Sequence, residues 1–286
     1  MQKKILIIGS LGMLGQELLK TFPQATGWDR NEIDITDKKQ TEEKIAALRP
    51  NIVINAAAYN AVDQCETMEG FETAKKINGD ASGFLAEICS EISAVFVHYS
   101  SNYIFDGNNK EGYNEDSIPK PINKYGETKL LGEEKILKIK GLKYYIIRTS
   151  KLFGKKGSSG AAKDNFFDIM LDLSKSQRDI KAVDDELSNF TYAPDLACFT
   201  KNILENDNAY GIYHGINEGA CTWYEGAKML FDITGKNVNL IPVNSSEFSR
   251  LAQRPKYAVL NNNKLPKLRG YEEALREFLT NKLCAE

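Results

Sequence analysis

The 286-residue sequence predicts an α/β protein, a doubly wound parallel sheet with a smaller C-terminal lobe. Three observations predict it. Short apolar runs without polar alternation recur through the first half, the mark of strands buried on both faces. Stretches of helical periodicity separate them, and strand–helix alternation implies a parallel sheet. The first apolar run ends in a glycine-rich turn, GSLGMLG, that opens a helix, which makes the sheet Rossmann-like.

In chain order, KKILIIG is a strand and MLGQELLKTF a helix. ATGW is a short strand, residues 40–48 are helical and NIVINAAA is the next strand. Residues 71–89 hold one or two helices, and AVFVHYSS is a strand. A loop then leads to the helix in NKYGETKLLGEEK, and LKYYIIRTS is a further strand. These elements place a dinucleotide-binding domain at 1–150. After Arg148 the pattern loosens. KKGSSGAAKD reads as a mobile loop near an active site. FFDIMLDLSK and APDLACFTKNILE are helices, the second with Pro194 near its start. NLIPV is a short strand and YEEALREFLTNKL a terminal amphipathic helix. Residues 151–286 are expected to form mainly a substrate-binding lobe, with some segments returning to the main sheet.

A net charge of −2 and a pI near 5.9 give no reason to expect nucleic acid or an anionic membrane as partner. No apolar run approaches the roughly 18 residues of a membrane span. The start, MQKKILIIGS, resembles a signal peptide, but its apolar run ends in the glycine turn with no small-residue cleavage site, so a cytoplasmic location is expected. The five cysteines (Cys65, Cys89, Cys198, Cys221 and Cys284) are scattered and form no C-x-x-C pair; they read as reduced thiols. The two histidines, His98 and His214, lie far apart, so neither a zinc site nor a Ser-His-Asp triad is expected.

Two stretches carry chemistry on their own. Gly9, Gly12 and Gly15 sit at a strand-to-helix junction, where the backbone can approach a pyrophosphate and the helix N-terminus offers free N–H groups. Met13 and Leu14 belong to the same turn. Asp29, twenty positions after Gly9, falls where a carboxylate accepts hydrogen bonds from an adenosine ribose. Arg30 beside it would favour a 2′-phosphate, so the choice between NADH and NADPH stays open. Tyr125 and Lys129 stand four apart in the first turns of a helix, on one face. A neighbouring cation would lower the phenol from its usual value near 10 and make it an acid or base usable near neutral pH.

Taken together, GSLGMLG, NAAAYNAVDQCE, HYSSNYIFDG, YGETKLLGE, RTSKLFG, VDDELSNFTYAPDLA and RPKYAVLNNNKL, in this order, resemble the extended short-chain dehydrogenase/reductase superfamily, and within it the dTDP-4-dehydrorhamnose reductase family. The resemblance spans nearly the whole chain. It implies NADPH- or NADH-dependent reduction of the 4-keto group of a nucleotide-linked 6-deoxysugar, dTDP-4-dehydro-L-rhamnose to dTDP-L-rhamnose. It implies Ser101, Tyr125 and Lys129 as the catalytic group, serine standing where the family usually has threonine. On the cofactor side it implies Asp34 and Ile35 beside the adenine, and Asn55, Ala56, Ala57 and Tyr59 in the loop after the third strand. Asn78, in KINGD, matches a helix asparagine that supports the site. Asn102, Tyr103, Lys151 and Arg254 are implied on the substrate side. No metal is implied by the residues, and relatives include both monomers and metal-bridged dimers, which leaves a homodimer open.

The departures cluster on the substrate side. Asn102 stands for an aspartate and Lys151 for a tryptophan. Ser188, Asn189 and Phe190 replace Gly-Ser-Pro, and Ala258 replaces a serine. Lys151 could point into the pocket and hold a polar or anionic group, or reach solvent and leave a wider pocket. The competing readings are a reductase of a different sugar nucleotide, an epimerase or dehydratase of the same superfamily, and a non-catalytic NADP-binding subunit like the regulatory β-subunit of methionine adenosyltransferase. Asn102 in place of an acid argues against a dehydratase, and the intact Ser101–Tyr125–Lys129 set favours an enzyme.

Overall fold

The computed structural model describes residues 3–160, 162–206 and 208–283. Ala161 of the predicted loop and Cys284 of the predicted thiols lie outside them. The main sheet has six parallel strands, in the order Gly211–His214 (β10), Tyr144–Thr149 (β5), Val95–Ser101 (β4), Ile52–Asn55 (β3), Ile5–Ile8 (β1) and Thr26–Trp28 (β2). Strands β1 and β3 are buried at every residue, which is why their sequences lack polar alternation. The chain runs from β1 out to β2 on one side and returns to β3 on the other. The crevice at the carboxyl ends of β1 and β3 is therefore the switch point where an open α/β sheet takes its ligand.

Helices cover both faces. Met13–Thr21 (α1) and Ala193–Glu205 (α7) pack on one, around Leu18, Val97, Ile147 and Phe199. Lys38–Leu48 (α2), Ala81–Glu91 (α4) and Lys124–Leu137 (α5) pack on the other, around Ile45, Leu85, Phe96 and Ile136. Met68–Ala74 (α3) continues through a π-helical stretch, Lys75–Asp80, into α4, so residues 71–89 are one unbroken helical rod rather than two helices. Side-chain caps fix the helix starts. Asp37 caps α2, accepting from Gln40 N, and Asn123 caps α5, accepting from Gly126 N.

The second core lies above the sheet's carboxyl edge, around Phe153, Phe167, Phe190, Leu230 and Phe278. It joins Phe166–Ser176 (α6), Trp223–Thr234 (α8) and Tyr271–Leu283 (α9) to short strand pairs. Leu152–Phe153 (β6) pairs with Thr191–Tyr192 (β9), Asp179–Val183 (β7) with Asn239–Val243 (β12), and Ser188–Asn189 (β8) with Ala220–Cys221 (β11). The predicted strand NLIPV is thus β12 and belongs to this lobe. Strand β10 and helix α7 belong to the main sheet. Helix α8 is absent from the sequence reading, although Thr222 and Glu225 form a reciprocal capping box and Gly235 closes the helix at φ +64.

Candidate active site

Gly9 is held at φ +78, and a Cβ there would lie 2.6 Å from Ala57 N, so the turns after β1 and β3 touch through this glycine. At Gly15 a Cβ would come within 2.0 Å of Gly9 O. Gly12 differs: it has an ordinary φ of −71 and its Cβ would meet only Gly9 O, at 3.2 Å. Gly12 is the N-cap of α1, and no side chain caps that helix, unlike α2 and α5. The first-turn N–H groups over Met13 and Leu14 therefore face the crevice at the positive end of the helix dipole. The carboxylate of Asp29 accepts from Leu11 N at 3.0 Å and from Arg30 N at 2.9 Å, and the Arg30 side chain is exposed at the cleft's outer end. Asp34 accepts from Thr36 N and Oγ1 in an exposed turn, while Ile35 is buried in the core on the α2/α4 side. Leu14 is also a core residue.

Beyond β3, Asn55 is buried; it accepts from Ala57 N at 3.2 Å and sits 3.3 Å from His98 Nδ1. Ala56 N donates to Ile8 O at 2.9 Å. Asn78, in the π-helical turn, clamps the Tyr59 backbone from both sides: it accepts from Tyr59 N at 2.8 Å and donates to Tyr59 O at 2.9 Å. It also donates to Thr128 on α5 at 3.1 Å. This asparagine ties the cofactor-side loop to the helix that carries Tyr125 and Lys129. The predicted loop after β6 lies across the mouth of the crevice. Ser158 N and Ser159 N both donate to Leu11 O, at 2.9 and 3.2 Å, and Gln16 donates to Ser158 Oγ at 2.6 Å.

Ser101 ends β4 and Tyr125 opens α5, and the Ser101 hydroxyl lies near enough to the Tyr125 phenol to act on its ionisation. Ser101 Oγ accepts from Tyr103 N at 3.2 Å. The predicted downward shift of Tyr125 is not what the structure shows. Burial of its hydroxyl pushes it up to about 12, against the lowering effect of the Ser101 hydroxyl. Lys129 is buried, and burial brings its ammonium down to about 8. Its Nζ donates to the Tyr99 carbonyl at 2.6 Å, not to the phenol. The i,i+4 spacing places Lys129 on the expected helix face, but the spacing does not report desolvation, which dominates here.

On the other side of the cleft, Tyr103 meets Tyr125 edge to face, with ring centroids 5.7 Å apart, and its buried phenol lies near the Arg254 guanidinium. Arg254 is gripped by Asp63 through two bonds of 2.7 and 2.8 Å, and that pairing holds Asp63 at about 2. Asn102 is buried and donates to Ala258 O at 3.0 Å, fastening the RPKYAV segment against β4. Lys151 folds back against the protein rather than extending into solvent. It has a left-handed backbone (φ +35) and its amine lies over the rings of Trp223, at 4.2 Å, and Phe190, at 4.9 Å. The amine donates to Cys221 O at 3.2 Å, and burial lowers it to about 8. Backbone strain in a bulky residue collects at functional sites. Next to it, the buried carboxylate of Glu186 accepts from Trp223 Nε1 at 3.0 Å and pairs with Arg250 at 2.8 Å. Asp63, Glu186, Trp223 and Arg250 were not singled out in the sequence; they come from four separate segments and only the fold brings them together.

The crevice fits a dinucleotide. An uncapped helix start at Gly12 can cradle a pyrophosphate, and Asp29 stands at the end of β2 where a ribose is read. Residues 3–284 match the family model described as RmlD substrate binding domain. The chain is 33% identical to the spore coat polysaccharide biosynthesis protein SpsK of Bacillus subtilis, over 99% of both chains. Among solved structures, it is similar to a dTDP-4-dehydrorhamnose reductase of Clostridium acetobutylicum, with 35% identity and a TM-score of 0.92 over 98% of this chain and 99% of that one. It is also similar to the dTDP-4-dehydrorhamnose reductase of Bacillus anthracis in complex with NADP, with 33% identity and a TM-score of 0.90 over 98% and 100%. The chain belongs to the RmlD substrate-binding-domain family.

Proposed function

We propose that this protein is an NAD(P)H-dependent sugar-nucleotide ketoreductase that converts dTDP-4-dehydro-L-rhamnose to dTDP-L-rhamnose. The observation that carries this reading is the placement of Ser101 at the end of β4 beside Tyr125 at the start of α5, one helical turn from a buried Lys129 and beside a crevice that fits a dinucleotide. Gly12, Met13, Leu14, Asp29, Asn55, Ala56, Ala57 and Tyr59 line the cofactor side. When bound, the dihydronicotinamide supplies the hydride. The protein's residues manage the charge that develops on the sugar's C4 oxygen. Tyr125 Oη gives its proton to that oxygen, and Ser101 Oγ donates a second hydrogen bond to it. A phenol near 12 stays protonated at neutral pH, as a proton donor in the reducing direction must. Once the proton has left, Ser101 and the Lys129 cation stabilise the phenolate. Tyr103, Arg254 and Lys151 form the wall on the sugar-nucleotide side. Asn102 acts behind that wall by holding the Ala258 segment.

A cytoplasmic location fits the free, buried thiols of Cys65, Cys89 and Cys221. No helix among the described residues is long and apolar enough to cross a membrane. The test is consumption of NADPH and NADH, with dTDP-4-dehydro-L-rhamnose set beside other 4-keto sugar nucleotides. The rhamnose precursor is expected to be the best substrate. Binding of NADPH with no turnover of any member of the panel would favour the regulatory-subunit reading instead.

A further inference from the structure

Glu133 and Arg148 are buried charges that the proton-transfer scheme does not use. Glu133 is 1% exposed and Arg148 2%. The two are joined by bonds of 3.0 Å from Nε and 2.7 Å from Nη2, and Arg148 Nη1 donates to Glu115 O at 3.1 Å. Breaking such a pair strands a buried charge, and replacing both partners with apolar residues is often neutral. Structure alone therefore does not explain why charges stand here.

Their position supplies a reason. Tyr125, Lys129 and Glu133 follow one another at four-residue steps along one face of α5. Lys129 is 2% exposed, and desolvation opposes its charge. The groups facing it come from β4, β5 and α5 itself. On β4, the Tyr99 carbonyl accepts a hydrogen bond from its amine, and His98 is kept neutral by burial and by Lys129 itself. Ser101 and Tyr125 are uncharged. On β5, Arg148 is a second cation. Glu133 is the carboxylate that favours the charged amine.

Resting on the assignment of Tyr125 and Lys129 above, we propose that Glu133, held in place by Arg148, is a positioning residue that keeps Lys129 protonated beneath Tyr125. The buried row then runs positive, negative, positive, and the middle charge prevents two cations from facing each other in a medium of low dielectric. Arg148 fixes the carboxylate's orientation without touching the reacting atoms.

The test is the pH profile of kcat for ketone reduction by Glu133→Gln. Loss of the carboxylate makes Lys129 give up its proton more readily. The alkaline limb should therefore move to lower pH, on the order of one unit. The variant should lose far more activity near the alkaline limb than at mildly acidic pH. Glu133→Asp, which retains the charge, should restore most of the limb. In a Lys129→Met background, Glu133→Gln should leave the profile of the residual activity unchanged. If Glu133→Gln does not fold, Glu133→Gln/Arg148→Met removes the stranded cation as well; its alkaline limb should move in the same direction but by less, since one cation no longer opposes Lys129. A limb at the wild-type position, or a shift that persists without Lys129, would overturn the proposal and leave the pair as a staple between α5 and β5. Absence of activity in the wild type would instead be a failure of the functional assignment.

Discussion

The two sides of the cleft are built by different means. The cofactor side comes mainly from turns that follow consecutive strands, and the contacts between those turns end on backbone atoms: Gly9 on Ala57, Asp29 on Leu11, Asn55 on Ala57. The sugar side comes from side chains far apart in sequence. Asp63 holds Arg254 across 191 residues, and Lys151 reaches Cys221 across 70. A crevice made of short-range backbone geometry tolerates little change and suits a constant ligand. A wall made of long-range side-chain pairs can be exchanged pair by pair without disturbing the sheet. The departures implied by the resemblance at Asn102, Lys151, Phe190 and Ala258 lie in or behind that second wall, and the exchange at Ser101 keeps its hydroxyl.

This division can be broken experimentally. The largest effect is expected at the junction of the two sides. Tyr125→Phe should lower kcat by about 10²–10⁴-fold, with cofactor affinity and melting temperature nearly unchanged, since only a proton donor is removed. Steady-state kinetics alongside calorimetry would show whether the loss is confined to kcat. Next come the glycines. Gly15→Val should prevent folding, because its Cβ would collide with Gly9 O, whereas Gly12→Val should fold. The folded variant should lose at least ~10-fold in affinity for NADPH and NADH alike by filling the pyrophosphate cradle. A Gly12→Val protein that bound both nucleotides normally while its sugar KM rose would invert the two sides. Asp63→Asn frees Arg254 and should raise the sugar-nucleotide KM several-fold with cofactor binding unchanged, as initial rates at saturating NADPH would reveal.

The smallest effect on turnover, read instead through stability, concerns Lys151. Its amine is held near 8 when folded, below the ordinary lysine value of 10.5. Between those two values the unfolded chain binds more protons, so this residue makes folding stability rise as pH increases. Lys151→Met should therefore stabilise the protein below pH 8, and the gain should shrink as pH climbs toward 10.5. Melting temperatures across that range would test the sign. A constant difference would mean that the amine is not desolvated on the Trp223 ring.

The sequence makes the first side legible because its signals are local. GSLGMLG announces a strand-to-helix turn, and apolar runs without alternation announce parallel strands. Four-residue spacing also put Tyr125 and Lys129 on one face. The direction of the Tyr125 shift was not legible, because desolvation depends on what packs around the hydroxyl and no helix spacing encodes that. The same holds for Lys151: its resting place on Trp223 and Phe190 requires α8 and the segment between β8 and β9 to meet, and nothing near RTSKLFG specifies that meeting. Helix α8 is legible in principle, through the Thr222–Glu225 capping box and Gly235.

The central claim is that Tyr125 hands a proton to the C4 oxygen of a dTDP-linked 4-keto-6-deoxysugar. The most direct test follows the absorbance of the reduced nicotinamide as wild type and Tyr125→Phe act on dTDP-4-dehydro-L-rhamnose, with the product identified by mass and NMR. The account predicts dTDP-L-rhamnose from the wild type and a loss of about 10²-fold or more in the variant. Equal rates from the two proteins, or no rhamnose product from the wild type, would contradict it.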